Sequence, residues 1–242
     1  MITKVAKLFL CLFVGIVCFM GISTTVHAET TSDGFEYTYD DWYGTMTITG
    51  YSGTKSDITI PSTIDGNEVT QINKYAFSGN STITSVVIPD TVTYIGEDAF
   101  SYCSNLNSVT LSKNLTNVNA AYFSMSDKLT KIIVPEDSEY FCTYKDLIYT
   151  KDMKKLVCVP AGLDSVSIYP GVDTIGQSAF YYNRNIITIF LPEGLITIEP
   201  YAFLNMEKLQ FVYIPDSVTE IGNNIMNSHY CVKKHFMINN NV

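Results

Sequence analysis

Two histidines and a cysteine lie close together near the carboxyl end, in His229-Tyr-Cys231-Val-Lys-Lys-His235. Two imidazoles and a thiolate form the donor set of a soft divalent metal. A fourth ligand is missing, and the two intervening lysines oppose a cation, so these residues are expected to pack or hydrogen-bond and to hold no metal. Asp40, Asp41 and Asp65 offer the oxygens that calcium takes from a rigid loop. Each stands in a stretch suited to a chain reversal, which accounts for them without an ion. His229 and His235 are the two histidines that follow residue 28, and neither sits where a nucleophile or a carboxylate would meet it. Gly-rich phosphate loops and Gly-x-Ser-x-Gly are both absent from the sequence. The reading is a non-enzyme without a cofactor.

Lys4 and Lys7 precede an uncharged apolar run from Leu8 to Ile22, and Val26-His27-Ala28 supplies a small-x-small ending. This is the pattern of a secretory signal peptide, residues 1–28, cleaved after Ala28. Its loss removes two lysines and no acid, taking the formal charge from −9 to −11. So acidic a chain is a poor partner for nucleic acid and anionic lipid. No later apolar stretch is long enough to span a bilayer, so the mature chain is expected to be secreted or held at the cell surface. Cys103, Cys142, Cys158 and Cys231 could pair as two disulfides in three ways. Buried free thiols are the expectation, because the scaffold described next needs no staple.

That scaffold is a repeat. Ile83-Thr-Ser-Val86-Val-Ile88-Pro89 returns as Leu106-Asn-Ser-Val109-Thr-Leu111, as Leu129-Thr-Lys-Ile132-Ile-Val134-Pro135 and as Leu209-Gln-Phe-Val212-Tyr-Ile214-Pro215, with starts at 83, 106 and 129 spaced by 23 residues. Phe100, Phe123, Phe180, Phe203 and Met226 each follow an apolar anchor by twelve residues, and Phe77 is in the same phase. These six residues are predicted to form an internal column. Alternation such as Ser85, Val86, Val87, Ile88 has the period-2 mark of a strand. A single coil cannot bury its own apolar face, so about seven coils must stack around one core. Two breaks in phase, of 5 and 11 residues, predict surface insertions near 64–69 and 140–159. The first carries the tight-turn pair Asp65-Gly66; the second reads as a hairpin. Residues 29–56 are expected to form an amino-terminal β-hairpin cap, 57–228 the repeats, and 229–242 a carboxyl-terminal cap and tail.

Ile88-Pro89-Asp-Thr-Val92-Thr-Tyr-Ile95-Gly96-Glu-Asp-Ala99-Phe100-Ser-Tyr-Cys103, echoed by Ile214-Pro215-Asp-Ser-Val218-Thr-Glu-Ile221-Gly222, resembles the BspA-type leucine-rich repeats of bacterial and protist surface proteins. Departures are Ser112 in place of proline, Tyr122 in place of the alanine before Phe123, and Ile225-Met226 for the last Ala-Phe. The resemblance implies a leucine-rich-repeat right-handed solenoid, built of short parallel β-strands with single helical turns, and a role in adhesion to matrix proteins or other cells.

The partner site is read from outward positions. Val87, Thr110, Ile133, Ser167, Phe190 and Tyr213 occupy one phase of the first strand, and their column becomes apolar and aromatic toward the carboxyl end. Phe211 and the second-strand residues Tyr94 and Ile196 are expected to enlarge that surface. Solvent-facing columns have no packing reason to be aromatic, so Tyr94, Ile133, Phe190, Ile196, Phe211 and Tyr213 are the candidate contacts for an extracellular protein or glycan. The alternative is a structural envelope protein that self-associates through its aromatic edges.

Overall fold

The computed structural model describes residues 28–226 and the backbone of residues 235–238. The expected signal peptide, apart from Ala28, and the His229 and Cys231 cluster lie outside the described residues. Among the described residues no helix is long and apolar enough to cross a membrane.

The chain opens with β1 (Glu29–Thr30), β2 (Phe35–Asp40) and β3 (Thr45–Tyr51), an antiparallel group. Next come β4 (Asp57–Thr59), β5 (Thr63–Ile64), β6 (Asn67–Ile72), β7 (Ser85–Val87), β8 (Tyr94–Ile95), β9 (Ser108–Thr110) and β10 (Lys131–Ile133). The insertion follows as β11 (Phe141–Tyr144), β12 (Leu147–Thr150) and β13 (Lys155–Cys158). The chain then runs through β14 (Thr174–Ile175), β15 (Thr188–Phe190), β16 (Thr197–Ile198), β17 (Phe211–Ile214), β18 (Glu220–Ile221) and β19 (His235–Ile238). Together they wind a β-solenoid of about eight turns with almost no helix.

Most coils contribute a first strand to one parallel ladder and a second strand to another. The first-strand ladder runs β4-β7-β9-β10 and resumes as β15-β17-β19; the second runs β3-β6-β8 and resumes as β13-β14-β16-β18. Both are interrupted in the region of the long insertion, and the core divides there into two packed clusters. The amino-terminal hairpin supplies more than an end cover, because β3 is itself a rung of the second-strand ladder, with Ile48 beside Ile72. At the other end β19 pairs in parallel with β17, setting Val212 beside Phe236.

The period-2 reading of the strands holds in packing. Ile58, Val86, Val109, Ile132, Ile189 and Val212 point inward and are buried, as do Ile72, Ile95, Leu156, Ile175 and Ile198 from the second strands. Phe77, Phe100, Phe123, Phe180 and Phe203 are all at most 1% exposed, whereas Met226 is half-buried at the end of the stack. Rings are stacked at 4.9 Å for Phe77 and Phe100 and at 5.8 Å for Phe100 and Phe123, and Phe180 meets Phe203 at 5.3 Å with planes tilted by 42°. Between Phe123 and Phe180 the place is taken by Val159, whose N–H reaches Ala179 O as that of Phe77 reaches Ala99 O. The column is thus two short stacks and not one.

The corner expected as a helical turn is built differently. Among the described residues one 3-10 helix, Ala120–Phe123, occupies it. In other coils successive i→i+3 turns do so, and non-glycine residues at positive φ bracket them: Tyr75, Asp98, Ser178 and Tyr201 two before the column residue, and Tyr102, Met125, Tyr182 and Asn205 two after. A left-handed residue ends an α-helix before it can propagate, so the corner stays one turn wide.

The first insertion is a tight hairpin between β5 and β6, with Asp65 and Gly66 both at positive φ as a type I′ turn requires. In the second, β11, β12 and β13 form an antiparallel meander. Its first turn, Lys145-Asp146, is also at positive φ twice, and its last strand is the coil's own second strand. Cys103, Cys142 and Cys158 are free thiols. Burial pushes Cys103 and Cys158 up to about 12, far from thiolate reactivity.

The glycine of the repeated Ile-Gly pair marks close approach between coils. A Cβ on Gly96 would stand 2.3 Å from Lys74 N and 2.7 Å from Asn73 C. Neither backbone atom can yield without moving a rung. Gly96→Ala is therefore expected to cost about 1–3 kcal/mol by overpacking. Gly66→Ala, with open space around its Cβ and φ of +81°, should lose about 1 kcal/mol for backbone conformation alone. Urea denaturation of the two variants checks the order, and an equal loss would refute the close-approach account.

Candidate functional site

The outward face of the first-strand ladder is set by register. β15 and β17 pair in parallel with Thr188 beside Phe211 and Phe190 beside Tyr213. Neighbouring parallel strands lie about 4.8 Å apart, so planar rings at the same register must meet face to face. Phe190 and Tyr213 do so, with centroids 4.5 Å apart and planes inclined by 6°. Phe190 is 68% exposed, Ile187 next to its strand is exposed as well, and Phe211 and Tyr213 are half-buried. An exposed ring of this size, held rigid by its neighbour, is a contact group that loses little entropy on binding.

Ile133 is in the same phase but on the other side of the interruption, where Thr59, Val87, Thr110 and Ile133 line up on β4, β7, β9 and β10. Between the two groups the insertion crosses the column. Lys145 Nζ donates to Ser167 Oγ at 2.9 Å, and Tyr144 packs edge-on against Tyr169 at 5.4 Å. The outward column is bridged by Lys145 at Ser167, which stays exposed, and is open at Phe190.

Tyr94 and Ile196 do not join this surface. Tyr94 belongs to β8, Ile196 immediately precedes β16, and both therefore lie on the second-strand ladder. Both are exposed there, and Tyr94 borders a recess. The six predicted contacts therefore divide between two faces, because the first and second strands of a coil belong to separate ladders whose outer sides do not merge into one surface. Sequence reasoning also passed over Trp42 and Tyr43, which are 87% and 74% exposed. Asp40 Oδ1 accepts from both of their N–H groups, at 2.9 and 3.1 Å, and so fixes the β2–β3 turn that carries them. Aromatics at a polar turn were the signal that could have found them.

Charge around these faces is largely spent between coils. Lys74 pairs with Glu97 at 2.8 Å, Lys113 with Asp137 at 2.7 Å, Arg184 with Glu207 at 2.8 Å and Lys155 with Glu199 at 2.6 Å. Hydrogen bonding to Asp137 and the nearby Asp90 hold the Lys113 ammonium above its ordinary range. Asp57 is held below the usual carboxylate range by hydrogen bonds from Ser85 and Thr84. Among the described residues no group of three or more His, Cys, Asp or Glu side chains could hold a metal ion.

Comparison with known proteins agrees with this architecture. The profile described as "BspA type Leucine rich repeat region" matches in six copies, over residues 52–145 and 160–242. No curated protein matches the sequence significantly. Among solved structures, the pneumococcal vaccine antigen PcpA superposes with a TM-score of 0.54 at 17% identity, covering 91% of this chain and 83% of that one. The Treponema pallidum leucine-rich-repeat protein gives 0.47 at 22% identity, over 81% and 82%. A leucine-rich-repeat protein from Bacteroides ovatus gives 0.48 at 24%, over 85% of this chain and 46% of that one. With its 23-residue period, paired parallel ladders and internal phenylalanine stacks, the chain belongs to the BspA-type leucine-rich-repeat family.

Proposed function

We propose that this protein is an exported, non-catalytic binding module that presents the carboxyl-terminal part of its first-strand ladder to an extracellular protein, and so mediates adhesion. The observation that carries the reading is the Phe190–Tyr213 stack, an exposed ring held against a half-buried one where a solvent face has no need of either. Export rests on the basic start, apolar run and small-x-small ending of residues 1–28. Repeat families of this kind bind through such extended faces, which a stacked ladder supplies without further elements.

The test is a triple variant, Phe190→Ser with Phe211→Ser and Tyr213→Ser, compared with the unaltered protein for retention by immobilised extracellular-matrix proteins. A loss of at least about tenfold in retention is expected, with an unchanged circular dichroism spectrum. Equal retention would rule out this face. A second reading, self-association, draws on Ile221, which is 54% exposed although its register partner Ile198 is fully buried. Sedimentation of the same samples separates the two, since self-association predicts oligomers without any matrix protein.

A further inference from the structure

The interruption in the second-strand ladder leaves a cleft, and its cause is local. The fourth coil has Thr116-Asn117-Val118-Asn119 where the third has Thr93-Tyr94-Ile95-Gly96. Asn119 Oδ1 accepts from Ala121 N at 2.8 Å and caps the 3-10 helix, and Asn117 Nδ2 donates to Tyr122 Oη at 3.0 Å. Asparagines that bond locally compete with a strand ladder, and no strand forms here. Tyr122, the departure from the usual alanine, is buried and forms part of the recess lining. Tyr94 lines one side of the recess, and Tyr181 and Tyr201 line it from beyond the insertion. The recess measures about 450 Å³ and shares Asn117, Asn119 and Gln177 with a second of about 390 Å³. Both fall in the range of small-molecule sites, about 300–1,000 Å³.

We propose that this cleft is a binding site for a neutral oligosaccharide, independent of the sheet face assigned above. Three tyrosine rings offer flat apolar surfaces with polar edges, which suit the C–H face of a pyranose. The amides supply what its hydroxyls need. Asn117 commits its N–H to Tyr122 and keeps its carbonyl oxygen, Asn119 commits its oxygen and keeps its NH₂, and the Gln177 carboxamide has no partner among the described residues. A hydroxyl both donates and accepts, so one acceptor, one donor and one group of each kind complement vicinal diols. The lining charges are already neutralised: Glu97 by Lys74, and Lys155 by Glu199, which also accepts from Gln177 N at 2.7 Å. No unpaired cation lines either recess for a phosphate or a uronate, and the chain as a whole is acidic. An extended peptide would seek free backbone groups along a strand edge, and here side-chain amides stand where that edge would run.

The test applies the purified chain to an array carrying neutral and anionic oligosaccharides side by side, followed by calorimetry with the best neutral one. Binding to at least one neutral oligosaccharide is expected. Tyr94→Ala and Tyr201→Ala, both at exposed residues, should each weaken it at least about tenfold, and Gln177→Ala by severalfold. The triple serine variant of the sheet face should bind the sugar as the unaltered protein does, so failure of one site is distinguishable from failure of the other. Retention of anionic glycans alone, no retention of any neutral glycan, or sugar binding that survives both tyrosine substitutions would each overturn the proposal.

Discussion

Asn183→Leu is expected to lower stability by about 3–5 kcal/mol, although leucine is apolar and close in size to the residue it replaces. Asn183 is fully buried. Its Nδ2 donates to Pro160 O at 3.1 Å and Leu163 O at 3.2 Å, and its Oδ1 accepts from Asn185 N at 3.3 Å and Ile186 N at 3.1 Å. Four backbone groups from two coils thus depend on one side chain. Each buried group left without a partner costs about 1–3 kcal/mol, reduced where water can reach it, as at Leu163. Asn80 stands at the same repeat position and accepts from Thr82 N and Ile83 N, but its donor bond to Tyr51 O is long, at 3.5 Å, and the residue is half-buried. Asn80→Leu should therefore lose only about 1–2 kcal/mol. Urea denaturation gives the two values, and hydrogen exchange at Ile186 should rise in the first variant alone. Equal losses would show that the position matters for packing and not for its hydrogen bonds.

The second large effect is expected from Phe100→Ala, at about 3–5 kcal/mol. Phe100 is stacked between Phe77 and Phe123 with no exposed surface, so its removal opens a cavity that rigid rungs above and below cannot close. The same change at Met226, half-buried at the end of the stack, should cost less than about 2 kcal/mol because the site can collapse. The division of the core adds a sharper expectation. Phe100→Ala and Phe180→Ala lie in different clusters and should add within about 0.5 kcal/mol, whereas Phe77→Ala and Phe100→Ala share a ring contact and should not. Full additivity in both pairs would contradict a stacked column.

Phe77, Phe100, Phe123, Phe180 and Phe203 were legible as core, because burial in a stack repeats with the period of the chain. Asp65-Gly66 was legible as a tight reversal, because both residues tolerate positive φ. Lys145-Asp146 makes the same kind of turn without either glycine or asparagine, so nothing local announced it. Gly96 carried the opposite ambiguity: its glycine is required by the backbone of the neighbouring coil, which no single repeat contains.

Period, phase, inward and outward alternation and the size of each insertion are local properties of the chain, and the sequence by itself determined them. Which outward residues share a surface was decided only by the tertiary structure. Tyr94 and Phe190 are outward on second and first strands, and only the separation of the two ladders shows that they do not share a surface. Ser167 is outward and exposed, yet it accepts a hydrogen bond from Lys145, which reaches it from an insertion twenty-two residues earlier. Tyr94, Asn117 and Tyr201 come to one cleft from separate coils. Period fixes a residue's angle around the solenoid axis, whereas a site also needs its place along that axis and the bend where the ladders break. Those follow from contacts between coils that are far apart in the chain.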